Sequence, residues 1–236
     1  MINTTVIAIV ILGALVMSPS TQAQDLSRYR DFQFGMSLPA VAKQVRMNPS
    51  DAKLIHRRPA MIQEFLWEAL SFTRSSPQTE SVKDIQFSFY NGELYRLVAM
   101  YNRDRIEGMT AEDIIAAISA KYGTASQPAL EITLSSTQLY GDGEKLYSNQ
   151  KEKVIAQWED SQYSFNLFHS STQSTFGLVA YSKRLNTEAQ AAVAEAIRLD
   201  EIEGPQRETA RKKKQDDETR VQQEKARKVN KAPFRP

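Results

Sequence analysis

The stretch IQFSFYNGELYRLVAMY, residues 85–101, carries the clearest structural signal in this 236-residue chain. Hydrophobic and polar residues alternate on both sides of Asn91-Gly92, a pair typical of a two-residue type I′ turn, in which both residues need a positive φ. We therefore predict an antiparallel β-hairpin. Such a turn also fixes the register of the two strands. The predicted pairs are Tyr90 with Glu93, Phe89 with Leu94, Phe87 with Arg96, and Ile85 with Val98.

This register divides the hairpin into two faces. The first face is apolar apart from Arg96 and is expected to lie against helices; it holds Ile85, Phe87, Phe89, Leu94, Val98 and Met100. The second face carries Tyr90, Tyr95 and Tyr101 among small and polar residues. Tyrosine is common at interfaces because it combines apolar area, a hydroxyl and few rotatable bonds. We predict that these three tyrosines bind a partner. The alternatives are ordinary cross-strand pairing on a solvated face, or cover by the C-terminal helix.

Two short amphipathic helices are predicted, and each follows a similar tripeptide. Gly35-Met36-Ser37 precedes the first helix and Gly108-Met109-Thr110 precedes the second. Ser37 and Thr110 suit the N-cap position, and Thr110 forms a capping-box pattern with Asp113. The buried stripes are expected at Leu38, Val41, Ala42 and Val45 in the first helix, and at Ile114, Ile115, Ile118 and Tyr122 in the second. Gly123 suits the end of the second helix.

A Trp-Glu pair follows each helix in strand-like sequence, Trp67-Glu68 and then Trp158-Glu159. The recurring order predicts an α+β fold of two tandem units, each a short helix or helix pair on a small antiparallel sheet. The expected units span residues 24–107 and 108–185. Residues 126–151 are predicted to be irregular, and three strands should follow them, with a turn at residues 160–162.

A last helix is predicted over residues 186–203, capped by Thr187 and ended by Gly204-Pro205. Beyond it, residues 204–236 have few apolar side chains and are predicted to be a disordered tail or a solvated helix. The body and the tail differ in net charge. Residues 24–202 hold 19 Lys and Arg against 22 Asp and Glu, and residues 203–236 hold 11 against 6. The sequence thus indicates a mildly acidic body and a basic tail.

Residues 1–23 are predicted to be a signal peptide. The apolar run 6–17 is too short to cross a bilayer as a helix, and Thr21-Gln22-Ala23 suits cleavage before Gln24. Retention as a membrane anchor is the alternative. The chain has no cysteine, which excludes disulfides, thiolate metal sites and cysteine nucleophiles. We expect a periplasmic or secreted protein.

No catalytic or metal-binding motif is recognisable, so the sequence predicts no catalytic residue, no metal site and no cofactor. The two histidines are His56, which precedes Arg57-Arg58, and His169. A hydrolase that pairs His169 with Ser170 or Ser171 is one alternative, although the Gly-x-Ser-x-Gly motif is lacking. The basic tail suggests weak contact with an anionic membrane or polymer. Nucleic acid is not expected, because no aromatic residues alternate with the basic ones.

The order of these landmarks resembles the β-lactamase-inhibitor-protein-like fold, which includes tandem-repeat secreted inhibitors and small outer-membrane assembly lipoproteins. The resemblance rests on the two Gly-Met-Ser/Thr tripeptides, on Trp67 and Trp158, and on Asn91-Gly92, within residues 30–185. It implies a saddle of two α/β units whose sheet face binds another protein. This chain lacks the lipoproteins' acylated cysteine and the inhibitors' disulfides, so no inhibitory residue is carried over.

The leading expectation is an exported, non-catalytic module for protein binding or envelope assembly that binds an unknown envelope or extracellular protein on an open sheet face. Two alternatives remain at this point. One is a cell-envelope hydrolase that uses Ser170 or Ser171 with His169. The other is a membrane-tethered structural protein retained by residues 6–17.

Overall fold

The computed structural model describes residues 25–69, 81–139 and 145–231, without the side chains of 135–148, 207 and 230. The predicted signal segment, residues 1–23, lies outside the described residues. The strands are β1 (Arg28–Tyr29), β2 (Phe32–Gln33), β3 (Lys53–His56), β4 (Ile62–Glu68), β5 (Val82–Tyr90), β6 (Glu93–Tyr101), β7 (Glu131–Leu139), β8 (Lys145–Glu159), β9 (Tyr163–Ser170) and β10 (Thr175–Ser182). The α-helices are α1 (Leu38–Gln44), α2 (Ala111–Tyr122) and α3 (Lys183–Lys231).

Strands β3 to β10 form one eight-stranded antiparallel sheet in the order β3-β4-β5-β6-β10-β9-β8-β7, and β1 pairs with β2 in a small hairpin. The predicted α+β class is confirmed. One face of the sheet packs against α1 and α2 and is called the α1–α2 face. The other face packs against the first part of α3 and is called the α3 face.

The main core lies on the α1–α2 face. Trp158 is its largest fully buried side chain, with 1% of its surface exposed. The indole Nε1 of Trp158 donates hydrogen bonds to the carbonyl oxygen of Gly123 (2.9 Å) and to Oγ of Ser119 (3.2 Å). The indole therefore joins strand β8 to the C-terminal end of α2, and its only polar atom is satisfied inside the core. Trp67 on β4 is half-buried and packs at the edge of the same core.

Helix α2 has the predicted capping box. Oγ1 of Thr110 accepts a hydrogen bond from the Asp113 amide (3.3 Å), and Oδ2 of Asp113 accepts one from the Thr110 amide (2.9 Å). The helix ends at Gly123, whose φ is 80°. Helix α1 starts after Ser37 as predicted, but the Ser37 side chain makes no capping hydrogen bond. Of the two helices, only α2 therefore has a side-chain N-cap.

The predicted hairpin turn is confirmed, because Asn91 and Gly92 have φ values of 50° and 85°. The predicted register is right next to the turn and wrong beyond it. A β-bulge shifts the pairing, so that Arg96 faces Ser88 and not Phe87, and Ile85 faces Ala99 and not Val98. The extra residue lets Leu97 and Ala99 face the main core, where both are fully buried. Val98 and Met100 consequently pack on the α3 face.

Residues 126–151 were predicted to be irregular, and this prediction is wrong. They contain β7 and the start of β8. Residues 145–153 of β8 pair with β7, whereas residues 154–159 pair with β9. The hairpin formed by residues 131–139 and 145–153 is called the β-flap. Its pattern is polar, with serine and threonine in many positions, which explains why apolar alternation did not reveal it. The turn at residues 160–162 is confirmed, and Oδ1 of Asp160 accepts from the amides of Gln162 and Tyr163, both at 2.7 Å.

The predicted limits of the last helix are wrong. Helix α3 begins at Lys183, directly after β10, and Oγ1 of Thr187 donates to the Lys183 carbonyl (2.9 Å) inside the helix. Gly204-Pro205 do not end the helix, which continues to Lys231. Pro205 removes only one backbone hydrogen-bond donor from it. Of the two alternatives for the tail, the solvated helix is the one found over residues 204–231. Among the described residues, no helix is both long and apolar enough to span a bilayer.

Candidate functional site

The three predicted site tyrosines do not share one open face. Tyr95 and Tyr101 are 7% and 9% exposed, and Tyr90 is half-buried. Tyr101 belongs to the main core, while Tyr90 and Tyr95 pack beneath α3 with Ile62. The expectation of a common surface is wrong because the bulge in β6 turns Tyr101 to the opposite face from Tyr95. Partner binding by these residues stays a prediction.

Two elements cover the α3 face, which was expected to be open. Residues 183–203 of α3 pack on β3, β4 and β6 through small and aliphatic side chains such as Leu185 and Ala189. The β-flap packs Ile132 and Leu134 against Phe168 and Val179 on the other side. Ion pairs fix both ends of this part of α3: Lys183 with Glu159 on β8 (2.7 Å), and Glu203 with Arg58 after β3.

A cavity of about 370 Å³, called the α3 cavity, lies between these two covers and the sheet. Its volume is within the range of small-molecule sites, which is about 300–1,000 Å³. The sheet supplies Glu64, Tyr95 and Arg96, the β-flap supplies Thr133 and Asn149, and α3 supplies Asn186, Gln190, Val193, Ala194 and Ile197. Ile55, His56 and Ile62 close the end next to β3. The cavity is thus apolar at one end and polar at the other.

The two charged side chains of the cavity stand in one row across three neighbouring strands. Glu64 on β4 is opposite Ser88 on β5, and Ser88 is opposite Arg96 on β6. Since neighbouring strands are about 4.8 Å apart, the Cα atoms of Glu64 and Arg96 are separated by about 10 Å. Ser88 is small and 4% exposed. Ser88 therefore separates Glu64 from Arg96 within this row.

The two charges do not form a close ion pair with each other, although Glu64 accepts a hydrogen bond from the Gln86 side chain and lies opposite Lys53 on β3. Nη2 of Arg96 donates to the carbonyl oxygen of Thr133 (3.0 Å), and within the described part of the chain no ion pair joins Arg96 to Glu64. Burial lowers the pKa of the half-buried Arg96. Burial also raises the pKa of Glu64, and the positive charge of Arg96 opposes that rise. Both shifts mean that the charged forms are poorly solvated where they stand.

The structure separates the side chains of the hydrolase alternative. His169 is exposed, and its ring contacts Phe176 edge to face at 5.2 Å. Ser170, the next residue of β9, is 2% exposed and points to the opposite face, as neighbours in a strand do. Oγ of Ser171 donates to Oε1 of Glu152 (3.3 Å). Within the described residues neither serine forms a hydrogen bond with His169, and the hydrolase alternative stays a prediction. In residues 25–69, 81–139 and 145–231, no cluster of three or more acidic or histidine side chains could hold a metal ion.

The cavity residues come from four separate parts of the chain, and sequence reasoning did not group them. One signal was present: Arg96 is the charged residue that interrupts the apolar pattern of its hairpin. A charged residue in a strand that is otherwise apolar is often functional, because its burial costs free energy. Asn149 belongs to a polar local sequence and gave no such signal. Glu64, Asn186 and Gln190 gave none because polar residues at intervals are ordinary on the outer side of a strand or helix.

The second exposed feature is the projecting helix, defined as residues 204–231 of α3. Its described side chains are exposed, apart from the half-exposed Asp217. It holds 10 Lys and Arg against 5 Asp and Glu. Two of its ion pairs are internal, Asp217 with Arg220 (3.0 Å) and Lys214 with Glu218 (3.9 Å).

Comparisons of this chain with protein-family models, with curated protein sequences and with solved structures find no match. The function therefore has to be inferred from the geometry of the molecule itself.

Proposed function

We propose that this protein is an exported, non-catalytic interaction module that binds an acidic protein surface with its projecting helix. The observation that carries the proposal is the exposed, positively charged helix that extends from a folded body over residues 204–231. At 1.5 Å per residue these residues extend for about 40 Å. Tyr95 and Tyr101 are buried, so we place the binding surface on this helix and not on the sheet face.

Some of the basic residues of the projecting helix lie on the same side of it. Lys213, Arg220 and Arg227 follow one another at intervals of seven residues. Seven residues are close to two helical turns, so these side chains form a stripe about 21 Å long, in which Arg220 also pairs with Asp217. Such a stripe attracts an acidic surface and favours rapid association, which salt weakens. The helix has few apolar residues, so we propose electrostatic docking and not burial in a groove.

We also propose that the body consists of two tandem units, as in the fold that the sequence resembles. The element order supports this: α1 precedes β3 to β6, α2 precedes β7 to β10, and the sheet contains the second set of strands in reverse order. Gly35 and Gly108 have similar φ values, 89° and 79°, three residues before their helices. Trp67 and Trp158 each occupy the second-last position of the second strand in their set.

Replacing Lys213, Arg220 and Arg227 together by glutamine should abolish partner capture in the full chain. Glutamine has a helix propensity close to that of lysine and arginine, so the helix should persist while its charge falls. The measurement is a crosslinking pull-down from an envelope extract, repeated at higher salt. We expect wild-type protein to capture an acidic protein and to lose it as the salt concentration rises.

The matched control is the triple change of Lys43, Arg103 and Arg105 to glutamine, which removes the same charge from exposed positions on the body. This control should capture the partner like the wild-type protein. Equal capture by the projecting-helix variant would contradict the proposal, and so would equal loss in both variants, which would indicate only an effect of net charge.

The exported state has its own test, the N-terminal sequence of the protein isolated from its cells. We expect a chain that begins at Gln24, because cleavage after Ala23 follows the small-residue pattern of signal peptidase sites. A chain that keeps residues 6–17 would contradict cleavage and support the membrane-tethered alternative.

A further inference from the structure

We propose that the α3 cavity binds a small aliphatic α-amino carboxylate, with the ligand's carboxylate on Arg96 and its ammonium on Glu64. This site is independent of the projecting helix. Free amino acids carry both charged groups on one carbon, whereas short peptides carry the same two groups farther apart and serve as the comparison.

Arg96 offers the carboxylate site. A guanidinium has five N–H donors in a planar fork that matches a carboxylate. One donor of Arg96 is used on the Thr133 carbonyl at 3.0 Å, and this bond orients the fork from the β-flap. The side chain is half-buried beside the cavity. A ligand carboxylate would supply the close negative charge that Glu64, two strands away, does not.

Glu64 favours a ligand that carries a positive charge beside its carboxylate. It stands in the same row as Arg96 with only Ser88 between them. A second negative charge, as on a phosphate dianion, would be repelled by the Glu64 carboxylate. An ammonium group near the ligand's carboxylate would instead be attracted to it. A zwitterion therefore pairs both protein charges at once and leaves the site neutral, which is the favourable arrangement for partly buried charges.

The remaining wall suits an aliphatic side chain. Ile55 and Ile62 are 4% and 3% exposed, Val193 of α3 packs against them, and Ile197 lines the same cavity. Burying a leucine-sized side chain there would contribute to affinity in proportion to its apolar area. Asn186 and Gln190 line the same part of α3, and their amides can hydrogen-bond to the polar groups of the ligand.

The test is isothermal titration calorimetry on the purified full chain with four probes. L-leucine and L-leucyl-L-leucine carry both charges, 4-methylpentanoate lacks the ammonium, and 3-methylbutylamine lacks the carboxylate. We expect saturable binding of leucine or the dipeptide with a Kd below about 1 mM, and at least about tenfold weaker binding of the two single-charge probes. The comparison of leucine with the dipeptide identifies whether the free amino acid or the peptide is the better ligand.

Three variants test the roles of Glu64, of Arg96 and of the cavity mouth. Glu64→Gln should weaken leucine binding at least about tenfold but leave 4-methylpentanoate binding unchanged or stronger, because a repulsive charge is lost. Arg96→Gln should abolish binding of both probes. Ala194→Phe alters an exposed residue at the cavity mouth, so it should block binding without a folding penalty. Glu68→Gln, an exposed glutamate on the same strand, is the control and should bind like the wild-type protein.

Thermal unfolding of each variant shows whether it is folded. If Arg96→Gln does not fold, Glu64→Gln and Ala194→Phe still decide the question. Binding of no probe by the folded wild-type protein would overturn the proposal. Equal binding of leucine and 4-methylpentanoate would overturn the role of Glu64, and with it the zwitterionic class of ligand.

Discussion

Replacing Trp158 by alanine is expected to lower the free energy of unfolding by about 3–5 kcal/mol, the usual cost of removing a large aromatic side chain from a core. The indole is 1% exposed. It also donates to Gly123 and Ser119, so its removal leaves the Gly123 carbonyl without this donor at the end of α2. Urea denaturation followed by far-ultraviolet circular dichroism measures the change, because this signal does not depend on the tryptophan itself.

Trp67→Ala is the matched control, because Trp67 has the corresponding place in β4 and is half-buried. It should cost about 1–2 kcal/mol, since less apolar area is lost. Trp158→Phe keeps an aromatic ring but removes the donor, and should fall between the two alanine variants. Equal losses for Trp67→Ala and Trp158→Ala would contradict the difference in burial that the structure shows.

Replacing Gly177 by alanine is expected to destabilise the protein by about 1–3 kcal/mol, although alanine is ordinarily better than glycine inside a strand. A Cβ at this position would stand 2.3 Å from Cζ of Phe168 and 2.9 Å from Sδ of Met100. Phe168 is fully buried and Met100 is 6% exposed. Both side chains are tightly packed, so one of them or the strand itself has to shift, and that shift costs free energy. Urea denaturation again measures the change in the free energy of unfolding.

Gly204→Ala is the comparison at a site without crowding from distant residues. Gly204 lies inside α3, and an added Cβ would meet nothing within 4 Å apart from its chain neighbours. The gain in helix propensity is opposed by the ring of Pro205, which disfavours a Cβ on the preceding helical residue, so the free energy of unfolding should change by less than about 1 kcal/mol. Phe168→Leu removes the ring that Gly177→Ala would strike. The double variant should therefore be more stable than the sum of the single changes by at least about 0.5 kcal/mol. Strict additivity would show that the ring is not the obstacle.

Local features were predictable where a few adjacent residues determine the backbone. Asn91-Gly92 required positive φ at two positions and produced the turn. Thr110 and Asp113 had the right spacing for a capping box and form one. The α+β class followed from the alternation of such signals along the chain. These elements depend on interactions within a few residues, so one sequence contains the necessary information.

Features that depend on distant packing were not predictable in the same way. The bulge in β6 has no sequence signature of its own; it forms because Leu97 and Ala99 are needed in the core opposite Phe87 and Ile85. Strand β7 is polar, and it is stabilised by pairing with β8. The length of α3 was missed because Gly204-Pro205 usually ends a helix.

The candidate sites differ in the same respect. The projecting helix could be predicted as one of two alternatives, because its composition alone shows that it has little to bury. The α3 cavity could not, since it exists only when α3, the β-flap and the sheet meet. Arg96 was visible as an exception in its strand, but its row with Ser88 and Glu64 depends on the shifted register of β6.

The position of the proline in α3 determines how the projecting helix can be directed. Pro205 has no amide hydrogen, so the backbone bonding of α3 is weakest two residues after Glu203, whose ion pair with Arg58 joins the helix to the body. Kinks at proline commonly exceed about 20°, and a bend of that size would displace the end of a 40 Å rod by about 14 Å. The packing of residues 183–203 need not change when this happens. Gly204-Pro205 can thus act as a hinge that changes the direction of the basic stripe while residues 183–203 stay packed over the α3 cavity.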